Sequence, residues 1–244
     1  MAALLGVVAG SGHAADAGSA AFDPKDFSGT WDRYSRDPRA PNNIPVSTRI
    51  PDPPLKPQFV EAWKIERKKY ADATAAGEPI ATGYTHCQPD GMPAMMMAMF
   101  PMEVLQTKTQ TTIIQEAYNQ VRRIYLNDTL PPIDDAEPGF WGHSVGHWEG
   151  NDFVVETIGI KPYVQYMNTP HSANMRIYER MRRIDADHFE DEVTVTDPEY
   201  LTGPWKWTWV YQRRPNYKMF EYVCEDNREY ADPETGAARL RIDK

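Results

Sequence analysis

Trp205-Lys-Trp-Thr-Trp-Val-Tyr211 alternates without a break between aromatic and non-aromatic residues. A period of two is that of a β-strand, so Trp205, Trp207, Trp209 and Tyr211 share one face. Four large rings in line cannot be left in water cheaply, since each buries about 150–250 Å² when covered. A strand of this kind needs a second layer or a closed barrel over its aromatic face. The rings line either a packed core or a ligand cavity, and the pattern leaves both readings open.

From Pro101 onward the same period recurs. Candidate strands are 102–109, 111–118, 120–127, 143–149, 153–159, 175–185, 189–197, 205–213 and 217–225. Short turns such as Asp185-Ala-Asp-His188 separate several of them, and no long helical pattern intervenes. Strands at this spacing predict a closed antiparallel barrel or a sandwich. Upstream, Pro38, Pro41, Pro45, Pro51, Pro53, Pro54 and Pro57 mark residues 38–57 as an extended arm over the body. A helix is expected over 57–76, with Phe59, Ala62, Trp63 and Tyr70 in one stripe and Lys64, Lys68 and Lys69 outside it. Residues 22–244 are thus expected to form one mainly β domain. Its predicted architecture is a barrel of about 8–10 strands, with the helix packed on it or closing one end.

The net charge is −9, which argues against nucleic acid as a partner, because phosphate binding needs a basic footprint. Arg180, Arg182 and Arg183 are a local exception and read as one solvated strand edge. Residues 1–14 have the apolar and cleavage regions of a secretory signal without its basic start, so 1–21 is expected to be a leader remnant and flexible N-terminus. The apolar run is far below the roughly 20 residues of a membrane span, so no insertion is expected. Export to the periplasm or beyond suits pairing of Cys87 with Cys224, the only two cysteines. Such a closure contributes about 5 kcal/mol in the chain-entropy model. In a reducing cytosol the pair reads as two buried thiols instead. The oligomeric state stays open.

Residues 141–157 carry three competing chemistries. Gly142-His-Ser144-Val-Gly146 matches a nucleophile elbow, but that motif requires a strand turning into a helix, and here a turn and a second strand follow. His143 and His147 would be neighbours on a helix, yet on a strand they stand roughly 13 Å apart at about 3.3 Å per residue. His147-Trp-Glu149 lacks the P-C-x-x-C partner of zinc deaminases, so no metal is predicted. A hairpin about Gly150-Asn151 fits better. It pairs Trp148 with Phe153, His147 with Val154, Val145 with Glu156 and Ser144 with Thr157. One face then holds His143, His147 and Glu156, and the other holds Ser144, Trp148, Phe153, Val155 and Thr157. Either the His/Glu face looks into the barrel or it points to solvent.

Phe22-Asp-Pro-Lys-Asp-Phe27-Ser-Gly29-Thr-Trp31 resembles the opening of lipocalins. The resemblance implies that Trp31 packs across the closed end of the barrel and that Gly29 permits close approach. The chain is also similar to a largely uncharacterised family of secreted bacterial proteins with a lipocalin-like barrel. This similarity runs through Phe27-Ser-Gly-Thr-Trp31, Cys87-Gln-Pro-Asp-Gly91, Ser144-Val-Gly-His-Trp-Glu-Gly150, His171-Ser172, Glu179-Arg180, Asp197-Pro198, Thr202-Gly-Pro-Trp205 and Tyr222-Val-Cys224. No established activity comes with that likeness. The Asn151-Asp152 turn departs mildly from it, where an Asp-Thr-like pair is expected.

Met92, Met95, Met96, Met97, Met99 and Met102 form a thioether-rich stretch suited to core packing or a pliable pocket wall. Thioether binding of copper is a remote third reading. Glu179 shares a face with Met175, Ile177 and Met181, and a carboxyl buried there is a candidate acid or base. The alternative is a structural pair with Arg180 or another arginine. His171, Glu179, His147 and Glu156 form the candidate catalytic set: His171 as base, Glu156 or Glu179 as acid or orienter, His147 polarising an oxygen. Trp205, Trp207, Trp209, Tyr211, Trp148 and Met97 form the candidate substrate-binding set. Together they predict a secreted lyase, isomerase or hydratase that needs no cofactor and acts on a small apolar or aromatic molecule. A non-catalytic carrier of a small hydrophobic ligand uses the same lining, and a structural envelope protein predicts a filled barrel.

Overall fold

Nine strands close into a barrel in the computed structural model, which describes residues 22–36, 44–78, 80, 83, 86–224, 229–231, 235 and 238–240. In chain order they are β1 (Gly29–Arg33), β2 (Met102–Gln106), β3 (Gln110–Gln115), β4 (Gln120–Leu126), β5 (His143–Glu149), β6 (Asp152–Ile158), β7 (Arg176–Arg183), β8 (His188–Thr196) and β9 (Trp205–Arg213). A single α-helix, α1 (Pro57–Ala75), precedes β2. A separate ribbon pairs β10 (Glu229–Ala231) with β11 (Ala238–Leu240). The expected leader within residues 1–21, and Pro38 and Pro41 of the arm, lie outside the described residues.

Every neighbouring pair in the barrel is antiparallel except β4 with β5. Those two run parallel because residues 127–142 carry the chain back to the end where β4 began. Closure comes from β1, which pairs with β2 on one side and β9 on the other. That pairing explains the one expected strand that does not form. With both edges of β9 occupied, 217–225 has no ladder to join. Its described part, up to residue 224, is tied down by side chains instead. Asn119 donates to the Tyr222 carbonyl (2.9 Å), the Tyr217 hydroxyl donates to Glu116 (2.8 Å), and Cys224 forms a disulfide with Cys87.

Trp31 sits fully buried at the end of the barrel from which β1 starts, and its indole N–H donates to the Phe27 carbonyl (2.8 Å). The Arg213 guanidinium lies over the ring, 4.4 Å from its centroid. Gly29 holds φ +120, a conformation that favours glycine, and a Cβ there would also displace the end of the Arg213 side chain, whose Nη1 lies 2.6 Å away. At the opposite end a 3-10 turn, Ala94–Met97, plugs the barrel with Met95 and Met96. Gln115 Nε2 donates to the Met95 carbonyl (3.0 Å) and the Tyr211 hydroxyl to that of Met96 (2.5 Å).

The arm runs along the edge of β9 beyond its pairing with β1, where Thr48 N donates to the Thr208 carbonyl (2.9 Å), Thr208 N to Thr48 Oγ1 (2.8 Å) and Trp205 Nε1 to the Pro51 carbonyl (2.8 Å). The helix docks through Trp63, its one buried residue, whose indole donates to the Met167 carbonyl (3.1 Å). Phe59 and Tyr70 are half-buried, but Ala62 is exposed, so the packed stripe is narrower than expected. Among the described residues no helix is long and apolar enough to cross a membrane.

Candidate functional site

The hairpin forms in the expected register: Trp148 opposite Phe153, His147 opposite Val154, Val145 opposite Glu156 and Ser144 opposite Thr157. Ser144, Phe153, Val155 and Thr157 are buried inside the barrel, and Trp148 packs on Phe27 and Phe153 near the Trp31 end. Period two therefore turns His143, His147 and Glu156 outward. The His147 side chain is 54% exposed and meets Glu149 at 3.1 Å. Glu156 pairs with Arg176 (2.5 Å), and His143 meets the Glu137 carbonyl (2.9 Å). The candidate pair His147 and Glu156 thus does not face the lumen, because the opposite face supplies the apolar and hydroxyl groups that the interior needs.

His171 is buried, away from the other three. Its Nδ1 lies 3.0 Å from the Ser172 carbonyl and its Nε2 3.0 Å from that of Val164. It borders a cavity of about 20 Å³ with Met175 and Trp205, room for about one water. With both ring nitrogens facing backbone carbonyls, it clamps residues 164–172 together and has no acceptor nitrogen turned towards a substrate. No three or more His, Cys, Asp or Glu side chains form a metal-binding group among the described residues.

Glu179 does point inward, but it is matched. Arg122 Nη1 donates to Glu179 Oε1 (2.8 Å), Nη2 bonds Oε2 and also Thr157 Oγ1 (2.9 Å), and Nε reaches Ser144 Oγ (3.3 Å). Both partners are sealed from solvent, at 1% and 0% side-chain exposure. Ser144, the centre of the elbow-like motif, is thus a spoke of a buried arginine. Arg122 escaped the sequence reading. Its signal was the alternation Gln120-Val-Arg122-Arg123-Ile124, which puts one arginine on the face of Gln120 and Ile124.

Further along the same lumen, Asp191 has neither oxygen bonded among the described residues, and the indole N–H groups of Trp207 and Trp209 are likewise unpartnered. Burial, and then the nearby Glu179 carboxylate, push the Asp191 carboxyl well above the usual range. Trp209, Tyr211, Val155, Ile177 and Asp191 are all at 0% exposure, so no water-sized space adjoins them. Trp205, Trp207, Trp209 and Tyr211 are core here, and the lumen is filled by side chains.

A larger space opens at the plugged end. Between α1, the 3-10 turn and residues 163–168 lies a cleft of about 460 Å³. Its walls include Tyr70, Met97, Phe140, Tyr163, Tyr166 and Met167, with Arg67, Gln88, Asp90, Gln165 and Asn168 as polar members. Tyr166 joins it to the core. Its ring lies 6.0, 5.6 and 6.2 Å from Trp205, Trp207 and Trp209, and its hydroxyl reaches Met97 Sδ at 3.7 Å. Burial pushes the Tyr166 phenol up to about 12. Of the candidate substrate-binding residues, Met97 is the one lining this cleft.

Asp90 follows the disulfide turn. Gln120 Nε2 donates to its Oδ2 (3.0 Å), while Oδ1 is buried without a partner among the described residues. Burial raises its pKa, outweighing the opposing hydrogen bond from Gln120. Gln120 is itself gripped, accepting at Oε1 from the Gly91 N–H (3.2 Å) and the Trp141 indole (3.3 Å). Gly91 has φ +67, and a Cβ there would lie 2.6 Å from the Phe140 carbonyl oxygen, so glycine lets the turn seat against the cleft wall. Opposite, Met167 and Asn168 hold left-handed φ values of 52° and 55°. Such conformations cost free energy in a non-glycine residue and recur at ligand clamps. Asp90 was passed over in the sequence as part of a turn. Only the combination of partial burial, an unfilled acceptor and an adjoining cleft marks it.

A carboxyl and a phenol whose pKa values burial raises, beside aromatic and thioether walls, can exchange protons with a bound molecule and hold its apolar body. No protein-family model matches the chain, and no match to it was found among curated proteins or solved structures.

Proposed function

We propose that this protein is an exported acid–base catalyst of the lyase, isomerase or hydratase type, independent of cofactors. Its substrate is a small apolar or aromatic molecule bound in the mouth cleft. Asp90 carries the reading, as a half-buried carboxyl with raised pKa, one oxygen held by Gln120 and the other without a partner among the described residues, in the wall of a space of ligand size. In its protonated form it donates a proton to a substrate hydroxyl, which leaves as water as the C–O bond breaks. The resulting carboxylate takes a proton from the carbon next to the one that bore the oxygen, the C–H electron pair forms the C=C bond, and the enzyme returns to its starting state. The Cys87/Cys224 disulfide supports an oxidising compartment.

A carrier is the second reading. It is favoured by the separation of His147, Glu156, His171 and Glu179, which share no cavity. One experiment separates the two. Phenols, aromatic alcohols and aromatic acids are titrated against intrinsic fluorescence, and bound compounds are then incubated with the protein and followed by mass spectrometry. Catalysis predicts a new product that Asp90→Asn abolishes while binding persists. Binding with no product in any case supports the carrier. Ala94→Trp, which fills the cleft from the 3-10 turn, should abolish binding in both. If ligands still bind to it with unchanged affinity, the cleft is not the site.

A further inference from the structure

The cleft wall sets an arginine among aromatic rings. The chain is acidic overall, at −9, yet the ionisable lining groups of this cleft are Arg67, Asp90 and the tyrosines Tyr70, Tyr163 and Tyr166. Burial favours the neutral forms of Asp90 and Tyr166. Among the described lining residues the one cation is the Arg67 guanidinium.

Two cations near Arg67 in sequence are matched. On the same helix Lys68 pairs with Asp72 (2.6 Å) and Lys69 with Glu66 (4.0 Å). Along β7, Arg176, Arg180 and Arg182 each meet a carboxylate. Arg67 has no ion pair or hydrogen bond among the described residues and is exposed at the rim. A second cation reinforces it. The Lys161 ammonium stands 5.0 Å from the Phe140 ring centroid and 5.6 Å from that of Tyr163, both rings of the cleft wall.

We infer that the cleft selects a small aromatic carboxylate, its ring against the wall formed by Phe140, Tyr163 and Tyr166 and its carboxylate paired with Arg67. The inference rests on the cleft being the binding site and deepens that reading by naming the ligand class. A planar guanidinium matches a carboxylate through two parallel N–H donors, a geometry that a primary alcohol cannot reproduce.

The test compares cinnamate with cinnamyl alcohol, molecules of the same ring and chain, by calorimetry and fluorescence on the full chain. Cinnamate should bind about tenfold more tightly, a difference of about 1.4 kcal/mol. Arg67→Gln should remove that preference and leave the alcohol unchanged, with Arg67→Lys in between. Because Arg67 is exposed, these variants should keep the wild-type melting temperature, which checks that they fold. Equal binding of acid and alcohol, or an acid preference that survives Arg67→Gln, overturns the carboxylate assignment while the cleft still binds a ligand. If neither compound binds, both the assignment and the cleft reading fall.

Discussion

Asp191 and Asp90 are the same residue type, under the same perturbation, in two different places. Burial lifts the pKa of both, and both have an oxygen with no partner among the described residues. Asp191 lies in a filled lumen beside the Arg122/Glu179 pair, at 0% exposure. Asp90 lies in the wall of an open cleft, held by one amide. The contrast teaches that a shifted carboxyl is not itself a site. Access for a reacting molecule separates a functional acid from a strained structural one.

The largest effect should come from unmatching the lumen. Arg122→Met leaves Glu179 buried without its cation and should destabilise the protein by about 3–5 kcal/mol in urea denaturation. Arg122→Met with Glu179→Leu should recover most of that loss. A double variant as unstable as the single one would mean that the pair itself, not the stranded carboxylate, sets the stability.

Next in size is the disulfide, which closes a separation of 137 residues and anchors the turn that carries Asp90. Cys87→Ser with Cys224→Ser should cost about 2–5 kcal/mol. If the cleft depends on this anchor, probe binding should weaken at temperatures where the barrel is still folded, as followed by far-UV circular dichroism.

The comparison itself is sharpened by pH. The folded-state pKa of Asp191 is raised, so the native protein retains a proton that the unfolded chain releases near its ordinary value of about 3.9. Stability from this group is greatest below that value and falls as pH rises towards the folded pKa. Asp191→Asn should flatten that decline and gain about 1 kcal/mol at pH 7. Asp152 acts in the opposite window. Hydrogen bonds from Arg182 and then Arg180 hold its carboxyl at about 2, so its contribution is present above the ordinary range and lost as pH falls towards 2. A wild-type slope unchanged in Asp191→Asn would show that this carboxyl is paired in solution.

The smallest effect is expected outside the barrel. His147→Ala should change stability by no more than about 0.5 kcal/mol and leave probe binding intact, since the His147 side chain is 54% exposed and pairs with exposed Glu149. A tenfold loss of binding would place function on the outer face.

Much of the barrel was legible in advance. The alternation of β9, the hairpin register about Gly150-Asn151, the inward Glu179, the helix and the cysteine pairing all follow from rules of short range or from residue count. The cleft was not legible, because Arg67, Asp90, Met97, Phe140 and Tyr166 lie in five separate stretches of chain. Arg122 was half legible. Its inward position follows from alternation, but its partner is 57 residues away.

By itself the sequence determined the strands, their turns and which side chains share a face, since these depend on backbone period and turn chemistry within a few residues. Tertiary structure decided which face of the 143–158 hairpin looks inward, that residues 217–224 find no strand partner, and which acid borders open space. Each of those outcomes depends on closure of the barrel. Closing a sheet on itself uses up its edges, divides inside from outside and brings distant segments together at its mouth.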